Sequence, residues 1–330
     1  MRTKNVTVQQ PLLITSAPAQ AQAQAGAATA IDLFAGAGGF SEGAALAGVE
    51  VIWAANHNPL AVQWHGQNHA QAVHSCQDLQ QANFYDVPKA DIILASPCCQ
   101  GHSKARGKDR PHHDNQRSTA WAVVSAAEAM QSECLVIENV PEFTDWILYP
   151  AWADALKRLG YSISVNVLDA ADFGVPQHRT RVFIVGTRSA APLTLKLEKK
   201  EHVAVNTVLE WDSYDWNPVN KPGRAENSLK RIENGRKVYG ERFVAPFYGS
   251  GSGTTGRSIE RPIGTLTTKD RWSLIKGDQM RMVQIPEAKR IMGFRDSYQL
   301  PASHTAAMQM LGNAVCPPVP AAILQGVLKA

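Results

Sequence analysis

Two adjacent cysteines, Cys98 and Cys99, stand inside the stretch Ser96-Pro97-Cys98-Cys99-Gln100-Gly101-His102-Ser103. The apolar run before them, Ala90-Asp91-Ile92-Ile93-Leu94-Ala95, reads as a buried strand, and Pro97 and Gly101 turn the chain after it. A thiol at the carboxyl end of such a strand lies where open α/β sheets do chemistry. Taken alone, the same cysteine reads equally well as a small, inert core residue. Two later segments favour chemistry. Leu135-Val136-Ile137-Glu138-Asn139-Val140-Pro141 is another apolar run, and it ends in a carboxylate. Val175-Pro176-Gln177-His178-Arg179-Thr180-Arg181 sets two guanidiniums on one side of an extended chain, ahead of Val182-Phe183-Ile184-Val185. A thiol, a carboxylate and paired arginines at strand ends suit a site for an electrophilic heterocycle. The arginines favour thiolate over thiol, and the carboxylate can hydrogen-bond or protonate a ring nitrogen.

The elements that must hold these groups alternate along the chain. Ile31-Asp32-Leu33-Phe34 reads as a strand, followed by the glycine-rich turn Ala35-Gly36-Ala37-Gly38-Gly39-Phe40 and a helical pattern through Ala47. Glycines at that junction let backbone amides approach a ligand at a helix start. The dinucleotide spacing fails because Ser41 takes the third glycine position, and the next strand, Val51 to Ala55, ends at Asn56 rather than at an acid. Helical stretches are expected from Pro59 to Asn68, Ala120 to Met130 and about Ala151 to Leu159. Strand ends are expected at Cys76-Gln77-Asp78-Leu79 and over Ser162 to Leu168. This alternation specifies an α/β fold with a doubly wound, mostly parallel sheet.

The chain has 330 residues, room for one large domain and a smaller one. Its net charge of +4 is compatible with a polyanionic partner without demanding one. The cysteines, 5 in number, lack paired metal-ligand spacing, which points away from a zinc site or a disulfide framework and toward a reduced, cytoplasmic setting. Residues 1–28 carry no acid, and their Gln20-Ala21-Gln22-Ala23-Gln24-Ala25 repeat reads as a disordered tail. No signal-peptide core or membrane-spanning segment is expected. Beyond Thr187 the character changes: residues 198–256 read as loop-rich, and Lys221 to Arg242 holds 7 basic and 3 acidic residues among aromatics. Such interleaving suits nucleic acid, against the alternative of a solvated face over a small core. Gly312-Asn313-Ala314-Val315 through Pro320 opens an apolar helix that must pack back on the main sheet.

With these segments in view, the chain from about Ile31 to Val327 resembles a DNA (cytosine-5)-methyltransferase. Asp32-Leu33-Phe34-Ala35-Gly36-Ala37-Gly38-Gly39 is similar to that family's S-adenosylmethionine loop, and Cys99-Gln100-Gly101-His102-Ser103 to its nucleophile motif. Glu138-Asn139-Val140, Gln177-His178-Arg179-Thr180-Arg181, Arg261-Pro262 through Thr265-Leu266-Thr267, and Gly312-Asn313-Ala314-Val315 match further motifs in the family's usual order. The resemblance implies a Rossmann-like catalytic domain over residues 29–187, a target-recognition domain over 188–305, and a segment, 306–330, returning to the catalytic domain. It implies that Cys99 adds to carbon 6 of a cytosine flipped out of duplex DNA. Glu138 would hold ring nitrogen 3 and the exocyclic amine, Arg181 the flipped base, and Arg179 the backbone around Cys99. For S-adenosylmethionine it implies Phe34 against the adenine, Gly36 and Gly38 beside the methionine part, and Asn56 at the ribose. Asp78 and Leu79 would also serve the adenine, and Asn313 the methionine end. Ser103, Lys104, Arg106 and Gln177 would contact DNA. Double-stranded DNA is the expected partner of a monomer with no metal. A restriction endonuclease acting separately on the same DNA is a further partner the family suggests.

This chain departs from the family at three places. Cys98 stands where proline usually precedes the nucleophile, His102 where phenylalanine is common, and Asn56 where a glutamate usually binds both ribose hydroxyls. An RNA cytosine methyltransferase would share the fold and chemistry. A catalytically silent DNA-binding relative would have no use for Cys99, Glu138 and both arginines, and a nicotinamide enzyme conflicts with the glycine spacing. The stretch Lys104 to Arg117 sets 5 basic residues against Asp109 and Asp114. Neutralising two of Lys104, Arg106, Lys108 and Arg110 is expected to weaken DNA binding across sequences and flatten its salt dependence. A salt slope equal to the parent's in a binding titration would show that the stretch leaves the phosphates alone.

Overall fold

The apolar runs expected as strands form a single sheet in the computed structural model, which describes residues 26–98, 118–247 and 253–330. Strands β1 (Thr29–Leu33), β2 (Glu50–Asn56), β3 (Val73–Cys76), β4 (Ile92–Ala95), β5 (Cys134–Asn139), β6 (Ser162–Asp169) and β7 (Thr180–Thr187) lie in the order β3-β2-β1-β4-β5-β7-β6. The first five pair in parallel, whereas β7 runs antiparallel to both β5 and β6. The order reverses between β1 and β4, so a crevice opens at the carboxyl ends of these strands. The glycine-rich turn and Ser96-Pro97-Cys98 both sit there.

Helices cover both faces. On one side α1 (Gly39–Leu46) packs with α8 (Pro318–Leu328); this core also takes Ala30, Val136, Phe183 and Val185. On the other side α3 (Trp121–Met130) and α4 (Tyr149–Arg158) cover Ile31, Leu33, Leu135 and Ile137. Alternating side chains along β1 and β5 therefore divide between two cores. By the same alternation Asp32, Glu138 and Arg181 belong to the face of α1 and α8, and Asn139 to the face of α3. The remaining helix of this layer, α2 (Pro59–Asn68), begins at Asn58, whose side chain accepts the Leu60 N–H, with proline in the first turn.

Residues 198–256, expected as loop, hold a helix and two strands of a second sheet. Helix α5 (Glu226–Tyr239) packs on a second, antiparallel sheet of order β8-β11-β10-β9, made of Asn217–Pro218, Gln279–Met282, Trp272–Lys276 and Arg242–Pro246. The charged residues of α5 hid its periodicity, since only Ile232 and Gly235 are buried along it. The interleaved bases and aromatics are largely used inside this region. Trp211 and Trp216 stack at 5.8 Å, Arg242 lies over Trp211, and Arg281 lies over Tyr214 and Trp216. Lys230, Lys237, Arg236 and Lys276 pair with Glu226, Glu233, Asp278 and Asp212. The pattern read as a nucleic-acid signature is thus in good part a small core with a paired surface.

Helices α6 (Ile285–Ile291) and α7 (His304–Asn313) then lead back to the main sheet. The stretch His304–Leu328 is apolar and long enough to pass for a membrane span, against the sequence expectation. It is split into α7 and α8 at Ala314–Pro317, and 56% of its most apolar window is buried inside the protein.

One buried ion pair ties α6 to the smaller sheet. Arg281 donates to both Glu287 oxygens at 2.7 Å, and those oxygens also accept the Glu210 and Gln284 N–H groups at 2.8 Å. Both side chains are almost wholly excluded from water. Glu287→Ala is expected to cost about 3–5 kcal/mol in urea unfolding, because it strands a buried guanidinium. Replacing both residues with apolar side chains of matching volume should recover most of that loss. A single variant as stable as the parent would show that water reaches Arg281.

Candidate active site

Of the groups expected to do chemistry, Glu138 and Arg181 come together at the strand ends. Glu138 is the penultimate residue of β5, and β7 pairs alongside with Glu138 opposite Phe183. This register brings Arg181 to the same face, with its Nε 3.1 Å from Glu138 Oε1. Burial pushes the Glu138 carboxyl above its ordinary value, against the pull of Arg181, Arg179 and a hydrogen bond with Ser96. A carboxyl held this way keeps its proton to higher pH than a free one and can share it with a ring nitrogen.

Arg179 and Arg181 were expected to face one site together. Arg179 instead lies just before β7 and is buried, donating to the Leu266, Gly312 and Ala314 carbonyls. It ties the glycine-asparagine turn of α7 and the Thr265-Leu266-Thr267 segment to the sheet. Gln177, expected at the DNA, is wholly buried. Its amide accepts from the Leu266 N–H at 2.8 Å and donates to the Ile291 carbonyl and Met292 Sδ. These bonds commit the side chain to the protein interior, so the DNA role assigned to it is corrected to a structural one.

Cys99, Ser103, Lys104 and Arg106 lie outside the described residues. The chain leading to Cys99 is held by a residue given no role from sequence. Asn139 Nδ2 donates to the Pro97 carbonyl at 3.2 Å, and Asn139 Oδ1 accepts the Val140 N–H. The Cys98 N–H donates to Thr119 Oγ1 at 3.1 Å, and the Ser96 N–H to the Leu33 carbonyl. Glu138 and Asn139 therefore work as a pair on opposite faces of one strand. The signal was present in the dipeptide, since a buried amide next to a buried carboxyl must find partners.

The turn after β1 has the shape of a ligand cradle. Phe34 is in the left-handed region at φ 62°, as are Gly36 at 54° and Gly38 at 77°. A phenylalanine there is strained, which is characteristic of functional turns. A Cβ on Gly36 would meet nothing closer than 3.6 Å, so its backbone is open to approach, whereas one on Gly38 would collide with the Tyr298 hydroxyl. Packing alone thus requires glycine at position 38. Asn56 ends β2 beside this turn, and its side-chain oxygen accepts the Asn58 N–H at 2.9 Å. With that oxygen engaged, the amide offers its NH2 as donor. Asp78 is exposed and caps the following turn through Gln80 N–H. Leu79 is only 2% exposed in the core under α3, a packing role in place of the expected adenine contact. Asn313 is exposed at the end of α7. Among the described residues no cluster of ligating side chains suits a metal ion.

A doubly wound sheet with an antiparallel β7, a glycine-rich turn after β1 and a carboxyl-arginine pair beside a cysteine loop defines the class. The family model for C-5 cytosine-specific DNA methylase matches residues 28–329. The chain is 28% identical over 315 residues to the Type II methyltransferase M.NlaX of Neisseria lactamica, covering 89% of this chain and 94% of that protein. It is 28% identical over 333 residues to the Type II methyltransferase M1.HphI of Haemophilus parahaemolyticus, covering 91% and 87%. Its fold is similar to that of Spodoptera frugiperda DNMT2, with a TM-score of 0.68 at 18% identity, covering 92% of this chain and 100% of that one. For the Entamoeba histolytica methyltransferase EhMeth the TM-score is 0.64 at 18% identity, covering 92% and 98%. The chain belongs to the C-5 cytosine-specific DNA methylase family. It is a DNA (cytosine-5)-methyltransferase.

Folded Glu138 keeps its proton to higher pH than it does in the unfolded chain, so its contribution to stability falls as pH rises through that interval. Glu138→Gln has no proton to lose. Its stability relative to the parent is therefore expected to improve as pH rises above the ordinary carboxylate range, while methyl transfer is lost. Parallel pH profiles for the two proteins in urea unfolding would contradict the raised value.

Proposed function

We propose that this chain methylates carbon 5 of a cytosine flipped out of double-stranded DNA, with Cys99 as nucleophile and S-adenosylmethionine as methyl source. The observation that carries this reading is the buried Glu138–Arg181 pair, set beside a chain that Asn139 and Thr119 hold up to Cys98. The cofactor fits the residues present. Gly36 leaves its backbone open, Phe34 is held in a strained turn, Asn56 offers a donor, and the exposed Asp78 offers a carboxylate. When bound, S-adenosylmethionine supplies an electrophilic methyl group on a sulfonium.

The Cys99 thiolate attacks carbon 6, forming a C–S bond while the ring electrons move toward carbon 5. Glu138 donates a hydrogen bond or proton to ring nitrogen 3, which takes up the charge that addition develops. Arg181 keeps Glu138 in place and faces the base. Carbon 5, now nucleophilic, would take the sulfonium methyl group as its carbon–sulfur bond breaks, the bonding pair staying on sulfur as a neutral thioether. Loss of the carbon 5 proton and departure of the Cys99 thiolate restore the aromatic ring. A stacked base hides carbon 6 from a thiolate, so flipping precedes the chemistry.

Ser103, Lys104 and Arg106 serve the DNA backbone in this reading, and residues 188–305 choose the target sequence. A cytoplasmic, nucleoid-associated monomer is the matching setting, and a separate restriction endonuclease cutting the same sequence is the matching partner.

Bisulfite sequencing of DNA from cells expressing the protein tests the activity and reads out the target. Cys99→Ser is expected to abolish methylation, because a hydroxyl is far less nucleophilic near neutral pH. Cys98→Ala should keep most of it, since neighbouring side chains on an extended backbone point apart. A duplex with 5-fluorocytosine at the target should trap a covalent adduct, because fluorine cannot leave as the proton does. Mass spectrometry should place that adduct on Cys99, and an adduct on Cys98 would overturn the assignment.

A further inference from the structure

Under the cofactor turn runs a chain of buried polar side chains that the reaction above does not use. Asp32, in β1, is fully excluded from water. Its Oδ2 accepts from the Ser41 hydroxyl at 2.7 Å, and Oδ1 has no hydrogen-bond partner. Ser41 Oγ lies 2.9 Å from His65 Nε2, and His65 Nδ1 lies 2.7 Å from His74 Nε2. His74 is only partly buried, and its ring also hydrogen-bonds to the Ala72 carbonyl. His65 and His74 line a narrow crevice together with Ala35, Gly36 and Asn56. The chain thus runs from a carboxyl beneath the cofactor turn to solvent, alongside residues that would hold the cofactor.

Such a chain can hold its protons in two ways. In one, Asp32 is protonated and donates to Ser41, Ser41 donates to His65 Nε2, and His65 Nδ1–H donates to His74. In the other, Ser41 donates to an ionised Asp32 and His65 Nε2–H donates to Ser41. His74 Nε2–H then donates to His65, and His74 is cationic. The two arrangements contain the same protons, so charge appears on Asp32 and on His74 together, without exchange with water. Above the range where both hold, His74 releases its proton to solvent and Asp32 stays ionised.

We propose that Asp32, Ser41, His65 and His74 form a proton chain that sets the charge beneath the cofactor turn. Ionised Asp32 favours the cationic S-adenosylmethionine over S-adenosylhomocysteine, whose sulfur is uncharged. His65 and His74 are positioning residues that act through Asp32. The inference rests on S-adenosylmethionine being the cofactor. It would let the protein bind substrate cofactor in preference to the product left after transfer.

The surrounding charges fit this role. Burial raises Asp32 to about 7, opposed by hydrogen bonds with Ser41, so it titrates near neutrality. Burial, with His69 and His74 nearby, keeps His65 uncharged, as the chain requires of its middle member. His69 is lowered to about 4, by burial first and Arg295 next, and so adds no charge near neutrality. Glu42 is paired with Arg295, and the Tyr298 hydroxyl donates to the Ala37 carbonyl, its own ionisation pushed far up by burial. Asp32 and His74 are therefore the groups in this cluster that change charge, and burial, which lowers His74 from its ordinary value, sets a cost on the arrangement in which His74 is cationic.

Isothermal titration calorimetry with S-adenosylmethionine and with S-adenosylhomocysteine, in the full chain, tests the proposal. Between about pH 6 and about pH 8 the parent's preference for the sulfonium is expected to rise severalfold as Asp32 ionises. Asp32→Asn should show a flat preference; the ligands' own amino groups titrate alike against both proteins and cancel in the comparison. His74→Phe removes the outlet and the cationic partner, so the pH at which the preference changes should move upward with the thermal midpoint of unfolding unchanged. A preference independent of pH in the parent, or an identical pH dependence in Asp32→Asn or His74→Phe, would overturn the inference alone. Failure of both nucleosides to bind the parent would remove the cofactor assignment and this inference with it.

Discussion

Ionisable groups removed from water at the carboxyl ends of parallel strands are the constraint on which the rest of this structure depends. Asp32, Glu138 and Arg179 are all buried, and each must be matched by partners that the surrounding elements deliver. Arg181 reaches Glu138 only because β7 runs antiparallel beside β5 in the observed register. Arg179 is matched by carbonyls from the Leu266 segment and from the end of α7, which draws the carboxyl-terminal helices onto the sheet. Moving any of these elements by one residue would leave a buried charge without its partner, at a cost of about 3–5 kcal/mol for such a group.

The same need for matching explains why the molecule is closed by residues distant in sequence. Gln177 joins the start of β7 to Leu266 and to the end of α6, across separations of 89 and 115 residues. Tyr298, after α6, donates to Ala37 in the cofactor turn, and Arg295 pairs with Glu42 in α1. The turn that would hold the cofactor is therefore shaped by the segment that follows the smaller sheet.

The cofactor side and the base side of the crevice use burial for different ends. Beside Cys98, lost water raises the Glu138 carboxyl while two arginines pull it down, the balance that the proposed hydrogen bond to a ring nitrogen would require. On the cofactor side, the strain at Phe34 and the open backbone at Gly36 leave a surface for a ligand instead of a packed turn.

Local pattern was enough for much of this. Apolar runs of strand length, glycine-rich turns and alternating helical stretches fixed the main sheet, because those signals depend on neighbours a few residues apart. The motif residues Cys99, Glu138, Arg179 and Arg181 stood out in the sequence for their chemistry. Where a polar side chain spends its hydrogen bonds is a different matter. Gln177 reads as a DNA contact in sequence and is an interior brace in the fold, where Arg179 also spends its bonds on backbone carbonyls. Asn139, with no role evident in sequence, holds the chain that leads to the nucleophile. Helix α5 and the smaller sheet escaped notice because their polar surfaces blur the apolar period. Ser41, His65 and His74 are spread over three separate elements, and only the packing of α1 and α2 against β1, with β3 at the sheet edge, makes them one chain. Partners brought together by tertiary contact leave no spacing in the sequence to read.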